Sequence, residues 1–315
     1  MAEMSFLTAA DADAGSAAAF LGGSVAASAA GSVADLTAGI AASLAARSGF
    51  DAAARLRLMA EGRQVGWLPR THAGVLRGIG AVLGPEQPLA DGSVAVALLP
   101  GCDDFDARSD ALQALARQLA DAGHVRGWRD ELFAVTAALD APAVAVVERA
   151  AARFLGLLTF ASHMNGIVDG AAGAPPALWI SRRSPAKSVD PGMWDNLVAG
   201  GMPHGSDPLA TLVRECEEES GIPPELAQGV QAHGMIEVLR DLPEGVQWEQ
   251  LYVYDLLLPP DFMPRNQDGE VSEHRRVEVA PLLAIMSAGA MTVDATLVTL
   301  DALGRRGWLD AGHHD

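Results

Sequence analysis

The stretch "WDNLVAGGMPHGSDPLATLVRECEEESGI", residues 194–222, decides the fold of this chain. Its second half places one arginine and four glutamates within positions 214–219, two residues before a glycine. Asp207 before Pro208 predicts a helix start, because an aspartate caps free backbone amides and proline suits the first helical position. Gly221 predicts the helix end. The acidic residues therefore crowd the C-terminal end of a short helix.

This helix has an apolar face and an acidic face. Glu215, Glu218 and Glu219 lie at i, i+3 and i+4, so we expect their carboxylates to converge on one side. The helix dipole disfavours anions at this end by roughly 0.3–1 kcal/mol each. Arg214 offsets part of the repulsion, and a divalent cation would offset more. Residues at spacings of three and four predict the buried face: Leu209, Leu212, Val213 and Cys216.

Two interpretations of the acidic face are open at this point. A cluster of carboxylate oxygens suits Mg²⁺, with Mn²⁺ as the alternative ion. A charge run is also commonly a solvated helix face with no ligand. The spacing of the glutamates alone does not separate a metal site from a solvated surface.

The string "RECEEESGI", residues 214–222, resembles the core of the Nudix box, R-E-U-x-E-E-x-G-U, in which U is a bulky apolar residue. It matches every fixed position, and Gly200 falls where the box begins. The resemblance implies an α/β fold, the Nudix α/β/α sandwich with a mixed sheet. In that fold the box forms a loop, a helix and a loop that holds divalent metal against a diphosphate.

The same resemblance assigns roles to residues of the box. It implies Glu215, Glu218 and Glu219 as the metal ligands, and Arg214 as the residue that pairs with and orients a glutamate. The implied cofactor is Mg²⁺, or Mn²⁺. One position departs from the pattern, because Ser206 stands where the box expects a glutamate. That departure puts outer-shell contacts to the metal in doubt.

Segments between about residues 50 and 310 are similar to a narrower group, the Nudix subfamily found fused to thiamine pyrophosphokinase in some fungi. They include "GWRDELFAV", "LWISRRSPAKS" and "TLVTLDALGRRGWL". Members of that subfamily carry an extra N-terminal domain. The resemblance implies a pyrophosphohydrolase that cleaves thiamine diphosphate, or its oxidised analogues, to a monophosphate and phosphate. The alternatives are a Nudix hydrolase of a nucleoside diphosphate derivative and a non-catalytic Nudix-like sensor.

Hydrolysis requires a group that takes a proton from water, and the sequence offers two candidates. One is Glu219 in the box, and the other is Glu270 in the downstream loop "NQDGEV". Glu270 is equally well explained as a turn residue after Asp268 and Gly269. Both carboxylates stay candidates for the general base.

Several residues outside the helix are candidates for contacts to the substrate. Arg182, Arg183 and Lys187 follow a predicted strand and could bind the outer phosphate, or they could form an ordinary solvated loop. We also assign Gly200 and Gly201 to the substrate site. Aromatic and polar residues could face the ring of the substrate, although packing explains each of them as well: Trp194, Trp248, Tyr252, His163 and Asn165.

Composition restricts the partners of the chain. The formal net charge is -18, which argues against unspecific binding to nucleic acid or to an anionic membrane, because both require a basic patch. The two cysteines, Cys102 and Cys216, form no C-x-x-C pair, and this usage predicts a reducing cytoplasm. We therefore expect a small-molecule diphosphate as the partner, with a homodimer as an open possibility.

The sequence divides into three predicted segments. Residues 1–49 are rich in Ala and Gly, and the charged residues at their start are acidic rather than basic, which favours a disordered or loosely helical tail over a signal peptide or membrane span. Residues 50–145 predict a small α/β domain, and residues 146–315 the Nudix domain. The small domain begins with a hairpin over residues 54–68 that turns at Glu61 and Gly62.

The small domain also contains a strand and a helix. Residues 93–100, "SVAVALLP", predict the strand. Residues 106–123 predict the helix, which Asp106 or Ser109 would cap. Three leucines lie on its apolar face: Leu112, Leu115 and Leu119. Nothing in this domain resembles a catalytic site, so we expect it to shape the substrate pocket or to mediate self-association.

Overall fold

The computed structural model describes residues 33–80, 82–170 and 175–309. Residues 1–32 of the predicted Ala/Gly-rich tail lie outside the described residues. The rest of that tail is helical over α1 (Val33–Arg47). Ile40 of this helix is fully buried among apolar residues of the C-terminal half of the chain. The described part of the tail is therefore packed against the folded protein.

The N-terminal half is built on a four-stranded sheet with the order β2-β1-β4-β3. Strand β1 pairs with β4 in parallel, and the other pairs are antiparallel. Glu61 and Gly62 have φ angles of 47° and 74° and form the two-residue turn of the predicted hairpin, which is confirmed. The elements are β1 (Arg55–Ala60), β2 (Arg63–Pro69), α2 (Arg70–Ile79), β3 (Leu83–Pro88), β4 (Val94–Leu98) and α3 (Phe105–Asp121).

Helix α3 covers this sheet as predicted, but its cap differs from the prediction. Asp104 caps the helix, with its carboxylate 2.8 Å from the amide nitrogen of Ala107. Because the helix begins at Phe105, Asp106 and Ser109 lie inside it and cannot act as the cap. The three leucines of the predicted apolar face are buried: Leu112, Leu115 and Leu119.

A hairpin and a short helix connect the two halves of the protein. They are β5 (Leu132–Val135), β6 (Ala145–Glu148) and α4 (Arg149–Leu155). The chain then turns at Gly156, which has a φ of 64°. A Cβ atom there would lie 1.9 Å from the carbonyl oxygen of Trp67, so only glycine fits this close approach. The carbonyl oxygen of Gly156 also accepts a hydrogen bond from the Trp67 amide at 2.8 Å.

The C-terminal half contains a seven-stranded mixed sheet. The order is β11-β12-β7-β8-β13, with β10 paired to β7 and β9 paired to β8. Strands β12 and β7 are parallel, and the other pairs are antiparallel. The strands are β7 (Leu158–Val168), β8 (Ala177–Arg183), β9 (Trp194–Asn196), β10 (Val198–Gly201), β11 (Gln231–Leu242), β12 (Gly245–Leu257) and β13 (Val271–Glu278).

Helices cover both faces of the seven-stranded sheet. Helices α5 (Pro208–Ser220) and α6 (Pro224–Ala227) pack on one face. Helices α7 (Val279–Ser287) and α8 (Val293–Arg305) pack with α1 on the other face. Alternate residues of a strand point to opposite faces, so Trp179 packs toward α5 while Leu178 packs toward α7. This arrangement confirms the predicted α/β/α sandwich, preceded by a smaller α/β unit.

Candidate active site

A cavity of about 700 Å³ opens between the two halves of the protein. Glu215 and Glu218 of α5 and the glycines Gly200 and Gly201 of β10 line it. Residues between positions 123 and 154, which precede the seven-stranded sheet, form the facing wall. The cavity is therefore assembled from both halves of the chain.

Helix α5 begins and ends as the sequence predicts. The carboxylate of Asp207 accepts a hydrogen bond from the Ala210 amide at 2.8 Å, and Gly221 ends the helix with a φ of 63°. Its buried stripe differs from the prediction, since Leu209 is 42% exposed and Val213 only partly buried. The stripe is rotated toward the glutamates. It includes Leu212 and Cys216 but also Thr211, Glu215, Glu219 and Ser220.

Glu215 lies under the strand β10. Its carboxylate is 2.8 Å from Nη2 of Arg214, as expected for the residue that orients a glutamate. A Cβ atom on Gly200 would lie 2.3 Å from Cδ of Glu215, so this glycine leaves the space that the carboxylate occupies. Burial raises the pKa of Glu215, and the neighbouring Arg214 opposes that rise. A buried carboxylate of this kind favours a second positive charge nearby.

Glu219 is more enclosed than Glu215 and faces a different group. It is only 5% exposed, and its Oε2 accepts a hydrogen bond from the Ala199 amide at 2.9 Å. Burial, together with the charge of Glu215, raises the pKa of Glu219 to about 8, while Lys187 opposes the rise. Glu219 therefore takes up a proton near neutral pH unless a cation is close to it.

The structure does not bring the three glutamates into one converging group. Glu218 is half-exposed and pairs with Arg214 at 3.1 Å, whereas Glu219 is bound to the Ala199 amide. Across the described ranges, no group of three His, Cys, Asp or Glu side chains is arranged to hold a metal ion. The predicted convergence of the three carboxylates is therefore wrong in this structure. Glu215 and Glu218 both pair with Arg214, whereas Glu219 accepts a hydrogen bond from the Ala199 amide.

The carboxylates of these three glutamates are nevertheless of the type that binds a divalent ion. Two buried carboxylates, those of Glu215 and Glu219, have raised pKa values because burial penalises their charge, and the half-exposed Glu218 lies next to Glu219 in the helix. Carboxylate oxygens are the ligands that Mg²⁺ and Mn²⁺ prefer. The residues that could hold such an ion are therefore Glu215, Glu218 and Glu219.

Two of the three predicted basic residues line the cavity. Arg183 donates to Asp195 at 2.8 Å, and Lys187 pairs with Glu270. Burial lowers the pKa of Lys187 to about 8, with Glu219 opposing and three neighbouring arginines adding to the decrease. Arg182 lies elsewhere, with its guanidinium 5.8 Å from the ring centre of Trp194. Because strand residues alternate between faces, neighbouring arginines of β8 point in opposite directions.

Glu270 lies both in the cavity and in a turn, so both interpretations of this residue describe its position. It lines the cavity beside Lys187 and pairs with Arg129 of the facing wall. It also lies in a turn, since its amide donates to the carboxylate of Asp268 at 2.8 Å. The turn thus presents Glu270 to the cavity.

The remaining predicted contacts are mostly structural. His163 lines the cavity, and its Nδ1 is 2.9 Å from the side-chain oxygen of Asn196, so it is a hydrogen-bonded, buried histidine. Asn165 is buried and donates to Asp255 at 3.0 Å. The hydroxyl of Ser206 is 2.9 Å from that of Thr211, at the start of α5. The aromatic residues proposed for ring stacking pack in apolar clusters away from the cavity lining: Trp194, Trp248 and Tyr252.

Sequence reasoning missed two groups of cavity residues. Arg129 and Arg149 line the wall formed by the N-terminal half, and Glu249 and Asp294 of the C-terminal half also line the cavity. Arg129 lies within "GWRDELFAV", a segment that carries the subfamily resemblance, but no local pattern shows which side chain faces the substrate. Their positions depend on how the two halves pack together.

Models of two known protein families match this chain, one in each half. Residues 39–159 match a domain of unknown function, DUF4743, and residues 162–295 match the NUDIX domain. The first match ends and the second begins within the first residues of β7, shortly after Gly156, where the N-terminal unit contacts the larger sheet. The cavity lies across this junction.

Three relatives show similarity along both halves. "Nudix hydrolase 20, chloroplastic" and "Nudix hydrolase 24, chloroplastic" of Arabidopsis thaliana are 38% and 40% identical to this chain over 203 and 206 residues, which are 64% and 65% of its length. These matches cover 54% and 56% of the two plant proteins, so the chain spans about half their length. An uncharacterised protein of Saccharomyces cerevisiae is 29% identical over 222 residues, 66% of this chain and 64% of that protein.

Proposed function

We propose, from the premise that residues 162–295 form a domain of the Nudix superfamily, that this protein is a metal-dependent pyrophosphohydrolase. It cleaves a small organic diphosphate to a monophosphate and phosphate. One observation carries the proposal. The box carboxylates Glu215 and Glu218 share a single cavity with Arg183 and Lys187, so anionic and cationic groups surround one space that is large enough for a small organic molecule.

Each side chain of the site has a distinct task in this proposal. Glu215, Glu218 and Glu219 would hold Mg²⁺ or Mn²⁺, which, when bound, neutralises charge on the diphosphate and makes the phosphorus more electrophilic. Arg183 and Lys187 bind the outer phosphate and stabilise the charge that develops on it. Water attacks the phosphorus, the bridging P–O bond breaks, and the proton passes to a carboxylate.

The carboxylate that accepts the proton is Glu219 or Glu270. Glu219 is enclosed and lies close to the predicted metal ligand Glu215. Glu270 lies at the cavity edge and is held by Lys187 and Arg129. A pH–rate profile of Glu270→Gln, compared with Glu219→Gln, distinguishes them, because only loss of the base removes the acidic limb while substrate affinity persists.

The favoured substrate is thiamine diphosphate or an oxidised analogue. Two further carboxylates, those of Glu249 and Asp294, line the cavity, and the side chain of Gln247 donates to them at 2.7 Å and 2.9 Å. These carboxylates favour a positively charged ring such as the thiazolium of thiamine diphosphate.

Two alternatives to this substrate and function are open to test. The first is a nucleoside diphosphate derivative as the substrate of the same active site. The second is a sensor that binds its ligand without cleaving it, for which we expect carboxylates of the box to be lost. Glu215, Glu218 and Glu219 are all present, so we favour an enzyme.

A panel of diphosphates tests the proposal on the full chain with Mg²⁺. We expect thiamine diphosphate or its oxidised analogues to be cleaved with a higher kcat/KM than ADP-ribose or a dinucleotide. The reverse order would favour the nucleoside alternative, and no cleavage of any diphosphate would overturn the proposed activity.

Unchanged turnover and metal dependence in Glu218→Gln would show that the box does no chemistry. Glu249→Gln should raise KM for substrates with a cationic ring.

The compartment and assembly of the protein are part of the proposal. Cys102 and Cys216 are free thiols, which fits the reducing cytoplasm that we propose. No helix within the described ranges is long and apolar enough to cross a membrane. The two plant relatives carry a chloroplast location in their names, so cell fractionation is the direct test. Sizing chromatography tests the homodimer.

A further inference from the structure

The wall that faces the Nudix helix belongs to the segment matched by the domain of unknown function. Its hairpin and helix, β5, β6 and α4, pack in the core of the N-terminal sheet, with Phe133 and Phe154 both buried there. The close approach of Gly156 to Trp67 then holds this unit against the larger sheet. The wall is therefore a fixed part of the fold, built outside the Nudix domain.

Arg149 and Phe133 are the residues of this wall that lie against Gly201 of β10. A Cβ atom on Gly201 would lie 3.1 Å from Nη2 of Arg149 and 2.9 Å from Cζ of Phe133. The guanidinium packs over the Phe133 ring at 5.3 Å and donates from Nη1 to Glu131 at 2.6 Å. Nη2 donates to no group in the described part of the chain. One edge of the guanidinium is thus oriented by the protein and the other is available to a ligand.

Arg129 extends the same positive surface toward the Nudix half. Its guanidinium pairs with Glu270, and its backbone amide donates to the buried Glu148 at 3.0 Å. Arg149 and Arg183 are close enough to Arg129 to lower its pKa. Lys187 lies in the same cluster. Cations from both halves of the chain therefore surround one end of the cavity, a charge arrangement that suits a ligand with several negative charges.

We propose that Arg149 and Arg129 bind the phosphate groups of the substrate, so that the DUF4743 segment completes the active site of the Nudix domain. This inference rests on the proposed function for the identity of the ligand as a diphosphate. A guanidinium binds phosphate oxygens through two parallel N–H groups, and Arg149 has a free edge for this contact. The Nudix domain supplies the carboxylates, and the N-terminal unit supplies part of the positive charge opposite them.

The test compares variants of the full chain. Arg149→Gln and Arg129→Gln remove one positive charge each from the wall, Arg149→Lys keeps the charge but loses the planar fork, and Arg117→Gln removes an exposed arginine from α3, away from the cavity. Calorimetric titration with methylenediphosphonate, a non-hydrolysable diphosphate, measures binding in the presence of Mg²⁺. Steady-state kinetics with the best substrate of the panel measures KM and kcat separately.

We expect each glutamine variant of the wall to weaken methylenediphosphonate binding and to raise KM by about tenfold or more, with kcat within about threefold of the wild type. Arg149→Lys should recover part of the affinity, and Arg117→Gln should match the wild type. A structural role alone would lower the unfolding midpoint without this split between KM and kcat. If Arg149→Gln folds poorly, Arg129→Gln decides, since its guanidinium is 32% exposed.

The outcomes separate this inference from the proposed function. If the wild type binds methylenediphosphonate in an arginine-dependent way but cleaves no diphosphate, the inference stands and the proposed activity fails. If both glutamine variants bind the probe within about twofold of the wild type, the inference is overturned, whatever the turnover. Failure of the wild type to bind the probe, or a fall in kcat with unchanged affinity, also overturns it.

Discussion

The two walls of the cavity are built in different ways. One wall, the α5 wall, takes its charged residues from a short part of α5. These residues lie within six consecutive positions: Arg214, Glu215, Glu218 and Glu219. On the facing wall, the cations come from a loop and from the start of α4, twenty positions apart in sequence. Strand β10 lies between the walls, with Gly200 against α5 and Gly201 against Arg149.

This difference determines which wall a sequence reveals. A helix converts spacings of three and four into spatial neighbours, so a charge cluster on α5 can be recognised without any knowledge of the rest of the fold. The pairing of β5 with β6 brings Arg129 and Arg149 together, and they face α5 only because the N-terminal unit packs against the larger sheet at Gly156. Experiments that alter one wall at a time should show whether both walls act on the same ligand.

The largest difference should appear between two single variants, each of which replaces one carboxylate, the first on the α5 wall and the second on the facing wall. Glu215→Gln removes a proposed metal ligand, and we expect kcat/KM to fall by about 100-fold or more. Glu131→Gln removes the partner of Arg149 on the facing wall, and we expect a change of less than about tenfold. Steady-state kinetics and Mg²⁺ titration measure both. Equal losses in the two variants would contradict the division of tasks between the walls.

The next effect concerns stability and pH in metal-free protein. Burial raises the pKa of Glu219 to about 8. The folded state therefore binds more protons than the unfolded state below that pH, and stability falls as pH rises. We expect a loss of roughly 2 kcal/mol between about pH 6 and about pH 8. Above pH 8 the lowered pKa of Lys187 acts in the opposite direction. Chemical unfolding in EDTA at several pH values measures this slope.

Two controls sharpen the pH experiment. Glu219→Gln should remove most of the slope, because the group that titrates is gone. Added Mg²⁺ should reverse the slope, because an ion that binds the ionised carboxylates stabilises the folded state more as pH rises. A slope in Glu219→Gln equal to that of the wild type would show that another group is responsible.

A smaller effect is expected from the strand between the walls. Gly200→Ala places a Cβ atom 2.3 Å from Cδ of Glu215, and the flexible glutamate can move away at little cost in stability. We expect about a tenfold loss of kcat, because a displaced ligand costs activity. Gly74→Ala in the exposed part of α2, where a Cβ atom meets nothing within 4 Å, is the control and should leave kcat unchanged. Full activity in Gly200→Ala would show that the position of Glu215 is unimportant.

The smallest change in stability should come from Arg214. Its ion pair with Glu218 joins two exposed side chains, whereas its partner Glu215 is buried. An exposed pair contributes little and the buried partner adds to the loss, so Arg214→Gln should lower the free energy of unfolding by about 1 kcal/mol. Denaturant unfolding measures it. A loss well above this value would mean that Arg214 holds α5 itself in place.

Much of the fold could be predicted because its signals are local. The hairpin turning at Glu61 and Gly62 and the caps of α5 at Asp207 and Gly221 follow from neighbouring residues. The cap of α3 was wrong by only two positions, since Asp104 rather than Asp106 takes that role. Errors of this size arise because several polar residues at a helix start compete for the same amides.

Burial on α5 was predicted less well than the helix itself. Leu209 was expected inside and is exposed, whereas Glu215 and Glu219 were expected on an open acidic face and are buried. Apolar periodicity places carboxylates outside by default, because burying a charge without a partner is costly. The prediction fails at Glu215 and Glu219, which are buried, and the raised pKa of Glu219 is a consequence of that burial.

The amino-acid sequence by itself determined the helix and its acidic cluster, since both depend on residues close together in the chain, and the resemblance of that motif to a known family implied the sandwich. The tertiary structure alone decided which basic residues meet the carboxylates. It turned Arg182 away on an alternating strand and brought Arg149 against Gly201 through the packing of two units. Such contacts join positions far apart in sequence, and no local spacing encodes the distance between them.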